Sequence, residues 1–211
     1  RHIYAAVEPL YERRDRAFAD VDKRLRAEGL CRLSIGDLTP EEHKYIKQYF
    51  KNVVAPVLSP QIVDAHHPFP HLEGKVLHIA ALLGHKKSER LGLLPVPASL
   101  PALVFLPGDE ARYVPIEDIL LEYTGNVFEM YDVLEKTVFC VTRNADINPD
   151  DETFGAEEGD FRKKMEKLLR QRRRMAVVRV ELNRPVSDHF REYFRSRFDV
   201  ADVQIYLSRK A

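Results

Sequence analysis

Residues 137–147 read Thr-Val-Phe-Cys-Val-Thr-Arg-Asn-Ala-Asp-Ile, and they constrain this chain more than any other stretch. The run of β-branched and aromatic residues predicts a strand, because such side chains pack well on a pleated surface. Side chains alternate along a strand, so Val138, Cys140 and Thr142 share one face while Phe139, Val141 and Arg143 share the other. An arginine therefore continues an apolar face just where the strand gives way to Asn144, Ala145 and Asp146. Asn144 tolerates left-handed backbone, and Asp146 can bond nearby amides or pair with Arg143. Two readings stand: a turn satisfied by its own polar groups, or a guanidinium aimed at an anion or a partner subunit.

A second strand at residues 176–182 alternates cleanly. Ala176, Val178, Val180 and Leu182 face one way, and Val177, Arg179 and Glu181 the other. Residues 76–83 read as a strand buried on both faces, and 90–96 as another or an edge piece. Residues 102–106 and 111–114 flank Pro107-Gly108-Asp109-Glu110, a hairpin signal. Helical spacing marks residues 3–27, with Val7, Leu10, Phe18, Val21 and Leu25 as the apolar stripe and Gly29 as the stop. Thr39-Pro40-Glu41-Glu42 opens a second helix with a capping box. Pro115 opens a short helix, residues 161–173 form another, and Ser187 caps one carrying Phe190, Tyr193 and Phe194 before a last strand at 203–207. The expected class is α+β: a mixed, largely antiparallel sheet with helices packed on one face, preceded by an N-terminal helical pair. Between these elements, residues 57–72 form a proline- and histidine-rich stretch expected to be an extended, stiff connector.

With 33 basic and 33 acidic residues the formal charge is zero, so no global field selects nucleic acid or an anionic membrane. No apolar run nears the roughly 20 residues that span a bilayer. Cys31 and Cys140 stand far apart in apolar contexts and read as free buried thiols in a reducing compartment, which implies a cytoplasmic protein. The chain starts at Arg1 inside a helical pattern, which reads as a piece of something longer.

Asp64, His66, His67, His71 and His78 raise the question of a metal. The prolines at 68 and 70 stiffen the stretch, and no zinc-ligand spacing supports a tetrahedral site, so hydrogen-bonding or surface histidines are expected. Arg170, Arg172, Arg173 and Arg174 end a helix that already carries Arg162, Lys163, Lys164 and Lys167. Cations there complement the helix dipole, while clustered guanidiniums also form a track for a polyanion. No glycine-rich phosphate loop and no nucleophile with its base is visible, so no catalytic residue is expected.

Strung together, these segments resemble a known family. Tyr49-Phe50, Val57-Leu58-Ser59-Pro60, Val63-Asp64 and His67-Pro68-Phe69-Pro70 are similar to the signature of bacterial polyphosphate kinase. Its pattern runs from a phenylalanine through Pro-Val-Leu-Thr-Pro to an aspartate and His-Pro-Phe-Pro. Residues 113–119, Tyr-Val-Pro-Ile-Glu-Asp-Ile, resemble its Phe-Val-Pro-Leu-Glu-Asp-Val segment. Val141-Thr142-Arg143-Asn144-Ala145-Asp146 matches its Val-Thr-Arg-Asn-Ala-Asp motif, and Val178-Arg179-Val180-Glu181 its Val-Arg-Leu-Glu strand. Ser59 and the turn at residues 71–75 depart from the pattern.

The resemblance covers the middle, or head, domain of that enzyme. It implies a helical lead-in over 1–55 and the α+β head over 56–211. The whole family enzyme transfers the terminal phosphate of ATP to polyphosphate, reversibly, through a phosphohistidine and magnesium. This chain lacks the segments carrying that histidine and the metal and phosphate ligands. The resemblance thus implies no cofactor in this piece, no activity by itself, and a part in dimerisation and in the wall of the polyphosphate tunnel. Its partners would be the remaining domains of the same enzyme, a second copy and inorganic polyphosphate. The contact candidates are Arg143, Asn144, Asp146, Arg179, Arg172, Arg173 and Arg174, with His67, Pro68, Phe69 and Pro70 as a motif. From composition, the alternative is a stand-alone RNA- or anion-binding module acting through 162–174. The lack of interleaved stacking aromatics there counts against nucleic acid.

Overall fold

The computed structural model describes residues 2–63, 69–85, 88–108, 110–144 and 176–208. The acidic stretch and basic helix expected between 147 and 174 lie outside these residues, as do His67, Pro68 and Asp146.

A six-stranded sheet forms the middle layer. Its strands are β2 (Gln61–Val63), β3 (Leu77–His85), β4 (Ser88–Pro95), β7 (Asp132–Arg143), β8 (Val177–Leu182) and β9 (Ile205–Leu207). Their order is β2-β4-β3-β7-β8-β9, antiparallel throughout except that β8 and β9 run parallel. That pair is joined by a helix, α5 (Asp188–Phe198), because parallel neighbours need a crossover. A small sheet holds β1 (Leu30–Arg32) parallel to β6 (Ala111–Pro115), which is hairpinned to β5 (Leu103–Phe105). The remaining helices are α1 (His2–Ala27), α2 (Pro40–Tyr49), α3 (Ile116–Glu122) and the single turn α4 (Thr124–Val127).

The expected mixed α+β class is the one observed, with helices covering both faces of the central sheet. On one face Phe190, Phe194 and Phe198 of α5 pack on Ala80, Leu82, Leu93, Phe139, Val141, Val180 and Leu182. On the other, α2, α3 and the small sheet contribute Ile46, Phe50, Ile119, Leu120 and Val114 against Ile79, Leu94 and Val138. Fully burying each large side chain contributes about 1.5–3 kcal/mol, and the neighbouring strands β3 and β7 both feed the two cores. Capping follows the sequence closely. Thr39 Oγ1 accepts from Glu42 N at 3.3 Å and Glu42 returns to Thr39 N at 2.8 Å, while Ser187 Oγ accepts from Phe190 N at 3.1 Å.

Two local expectations change. The alternation predicted for 176–182 fails at one residue: Thr142 pairs with Arg179 but Arg143 with Val177. The extra residue, Val178, forms a β-bulge that turns Val177 into the same core as Val180 and Leu182. The apolar stripe of α1 is not its most buried side either, although Phe18 meets the Arg32 guanidinium at 5.8 Å. Leu10, Phe18, Val21 and Leu25 are exposed, while Val7, Tyr11, Asp15, Ala19 and Asp22 form the half-buried side.

Candidate functional site

β7 delivers Arg143 to the end of the central sheet on the face of Phe139 and Val141. There its Nε and Nη2 both donate to the carbonyl of Leu72, at 3.0 and 2.8 Å. Lys75 N adds a bond to Val141 O at 2.7 Å, and the turn is completed by Lys75 in left-handed backbone at φ 64°. Two donors on one carbonyl hold the loop over 69–75 against the strand, as the planar guanidinium permits. Burial lowers the pKa of Arg143 from the ordinary arginine value, though a guanidinium remains charged across the physiological range. Asn144 continues the ladder through its N–H to Ala176 O at 2.9 Å, with its side chain exposed.

The same loop carries the described half of the proline motif. Phe69 packs edge-on against Phe198, centroids 5.1 Å apart, and so closes one end of the α5 core. Pro70, His71, Leu72, Glu73 and Val76 border a small, mostly apolar hollow with His78 at its base. His78 is buried and shares a hydrogen bond with Val76 O at 2.9 Å; burial pushes its pKa below the usual histidine value. Both cysteines are free thiols, half-buried rather than fully buried, and burial raises the pKa of Cys140.

Arg179 lies on the opposite face of the sheet from Arg143. Its guanidinium sits 4.6 Å from the ring centre of Tyr11 and 4.4 Å from that of Tyr206, and donates to Glu181 at 2.6 Å. Arg14 approaches Glu181 as well, at 3.7 Å. The residue thus ties α1 to the β9 edge, and the structure does not bring it into one lane with Arg143. Sequence reasoning did not anticipate Tyr11 and Tyr206 as its partners, because they lie far apart in the chain and meet only when β9 closes the sheet. It also passed over Lys136 and Asn183; a lysine interrupting the apolar run of β7 was the available signal.

Among the described residues no three histidine, cysteine or acidic side chains converge to hold a metal ion. No helix among the described residues is long and apolar enough to cross a membrane.

Comparison with known proteins places these features. The family model described as the polyphosphate kinase middle domain matches residues 41–210. The chain belongs to this family. It is 35% identical over 216 residues to a polyphosphate kinase of Exiguobacterium sibiricum, covering 98% of this chain and 29% of that protein. It is 34% identical over 192 residues to that of Bacillus anthracis, covering 87% of this chain and 27% of the relative. The chain therefore spans less than a third of the length of these relatives. A crystal structure of polyphosphate kinase from Porphyromonas gingivalis aligns with all of this chain and 31% of its own, at a TM-score of 0.74 and 22% identity, a likeness of fold. Within the polyphosphate kinase match fall the loop over 69–75, Arg143, Arg179 and α5, while α1 precedes it.

Proposed function

We propose that this chain is the head domain of an enzyme that reversibly transfers the terminal phosphate of ATP to inorganic polyphosphate. The reaction would use magnesium and a phosphorylated histidine carried elsewhere in the longer protein. Residues 56–211 form the head and 1–55 lead into it, with α2 packed onto its core. The observation that carries the reading is the middle-domain match over residues 41–210, in a chain spanning 29% of a related kinase. The role assigned to this domain is positional: a share of the dimer contact and of the wall along which a polyanion runs.

Arg143 and Asn144 supply one edge of that wall, with Asp146, Arg172, Arg173 and Arg174 following in the chain. Fixed cations favour a polyanion because their geometry is set before it arrives. Arg143, held by Leu72, meets that condition, whereas Arg179 is committed to its aromatic pair and acts by holding α1. The exposed apolar residues of α1 support burial against the enzyme's other domains or a second copy. Free thiols at Cys31 and Cys140 support a reducing, cytoplasmic setting.

The test compares this chain with the longer enzyme in ATP-dependent polyphosphate synthesis. The chain alone is expected to give no turnover, and turnover comparable to the longer enzyme would overturn the reading. In the longer enzyme, Arg143→Ala is expected to raise the Michaelis constant for polyphosphate or shift the dimer toward monomer. Unchanged values of both would remove Arg143 from the wall and the dimer contact.

A further inference from the structure

Between α1, α3 and the end of β8 lies a cleft of about 830 Å³, bordered among others by Phe18, Leu33, Asp118, Lys136, Asn183 and Arg184. Most of its charges are spoken for within the fold. Arg26 pairs with Asp22 at 2.7 Å, Arg32 with Asp118 at 3.3 Å, and Asp37 takes the Ser34 hydroxyl at 2.6 Å. The end nearest the central sheet is different. Lys136 rises from β7 and gives one donor to the last carbonyl of α3, Glu122 O, at 3.3 Å; its other two donors have no partner among the described residues. Arg184 makes no hydrogen bond or ion pair among them, and it borders the adjoining cleft together with Lys136.

Asn183, which borders the same cleft, is fixed by three bonds to β7. Its N–H donates to Val138 O at 3.0 Å, and its amide oxygen accepts from Val138 N at 2.9 Å and Thr137 Oγ1 at 3.1 Å. With the oxygen engaged in the sheet, the amide nitrogen is the side-chain donor left to this cleft-lining residue. Burial lowers the pKa of Lys136, Glu122 opposes that, and the positive charge of Arg184 adds to it. An anion placed between the two cations relieves their mutual repulsion.

We infer that Lys136, Asn183 and Arg184 form a binding site for a phosphate group at this end of the cleft. An ammonium, an amide and a guanidinium then line one end of a single cleft. A tetrahedral oxyanion uses all three, while a planar carboxylate is satisfied by the guanidinium fork alone. The site lies apart from the Arg143 loop. The phosphate could belong to a short inorganic chain or to a nucleotide, and two probes separate these sources.

The experiment titrates the 211-residue chain with tripolyphosphate and, separately, with ATP, by calorimetry at low salt without divalent metal. At least one probe is expected to bind, and Lys136→Met and Arg184→Ala are each expected to weaken it by roughly tenfold, the effect of losing one charge-assisted bond. Arg195→Ala, which removes an exposed pair with Glu192, is expected to leave that affinity unchanged. Amide resonance shifts on titration are expected to centre on residues 136, 183 and 184, which keeps the test readable if a variant folds poorly. Absence of binding, affinity in the Lys136 and Arg184 variants equal to that of the unaltered chain, or no shifts at residues 136, 183 and 184 would each overturn the site. The turnover comparison above is unaffected by any of these outcomes, so the two proposals fail separately.

Discussion

Arg143 shows how a residue chosen for its charge is first occupied by its backbone. Its two donors converge on Leu72 O, and hydrogen bonds from charged groups are among the stronger in proteins. Arg143→Ala is expected to lower stability by about 1–2 kcal/mol in denaturant titration, and Arg143→Lys to restore less than half, since an ammonium lacks the fork. His78 gives a pH signature. Its folded pKa lies below the unfolded value of about 6.5, so the native state favours the neutral ring. Above that value the group adds no pH dependence; as pH falls through it toward the folded pKa, the unfolded chain gains the proton first and stability drops. His78→Gln is expected to flatten this part of a stability profile measured from pH 7 to 5. The arginine motif was legible because strand periodicity put Arg143 on a definite face. Its partner was not, because no local pattern links residue 143 to a carbonyl 71 positions away.

At the scale of elements, local chemistry carried most of the reading. Caps at Thr39 and Ser187, the hairpin around Gly108, and the strand through 137–143 all follow from side-chain chemistry near in sequence. The bulge at Val178 was hidden because it arises from register with β7, which a single strand's alternation does not encode. β4 offers a direct test of close packing between elements. A Cβ on Gly92 would lie 2.7 Å from Leu83 Cδ1 and 2.8 Å from Phe128 Cζ, so Gly92→Ala is expected to cost about 1–3 kcal/mol by overpacking. Thermal unfolding of this variant beside Gly125→Ala, where nothing stands within 4 Å, separates crowding from the loss of glycine itself.

For the whole molecule, the decisive relation is between α1 and the layered body. The helix is attached through Tyr11, Arg179 and Tyr206 at one end and through Arg26 to Arg32 O at 2.6 Å near the other. Helical spacing was read correctly in residues 3–27, but the buried side was not. The seam is made of Val7, Tyr11, Asp15, Ala19 and Asp22, while Leu10, Val21 and Leu25 are exposed. A double-mutant cycle on Arg179→Met and Tyr206→Leu is expected to return a coupling of about 1–2 kcal/mol, since a partly desolvated cation between rings exceeds an exposed one. That coupling should change little between low and high salt, unlike a surface ion pair. The geometry of this attachment also sets a tolerance. From Gly29, at φ 84°, to Tyr11 a helix runs about 27 Å, so a swing of about 5° moves Tyr11 by about 2.4 Å. That displacement is enough to pull the ring off the guanidinium. α1 therefore behaves as a pointer with a single detent: seated on Arg179 it holds one bearing, and a deflection of a few degrees unseats it.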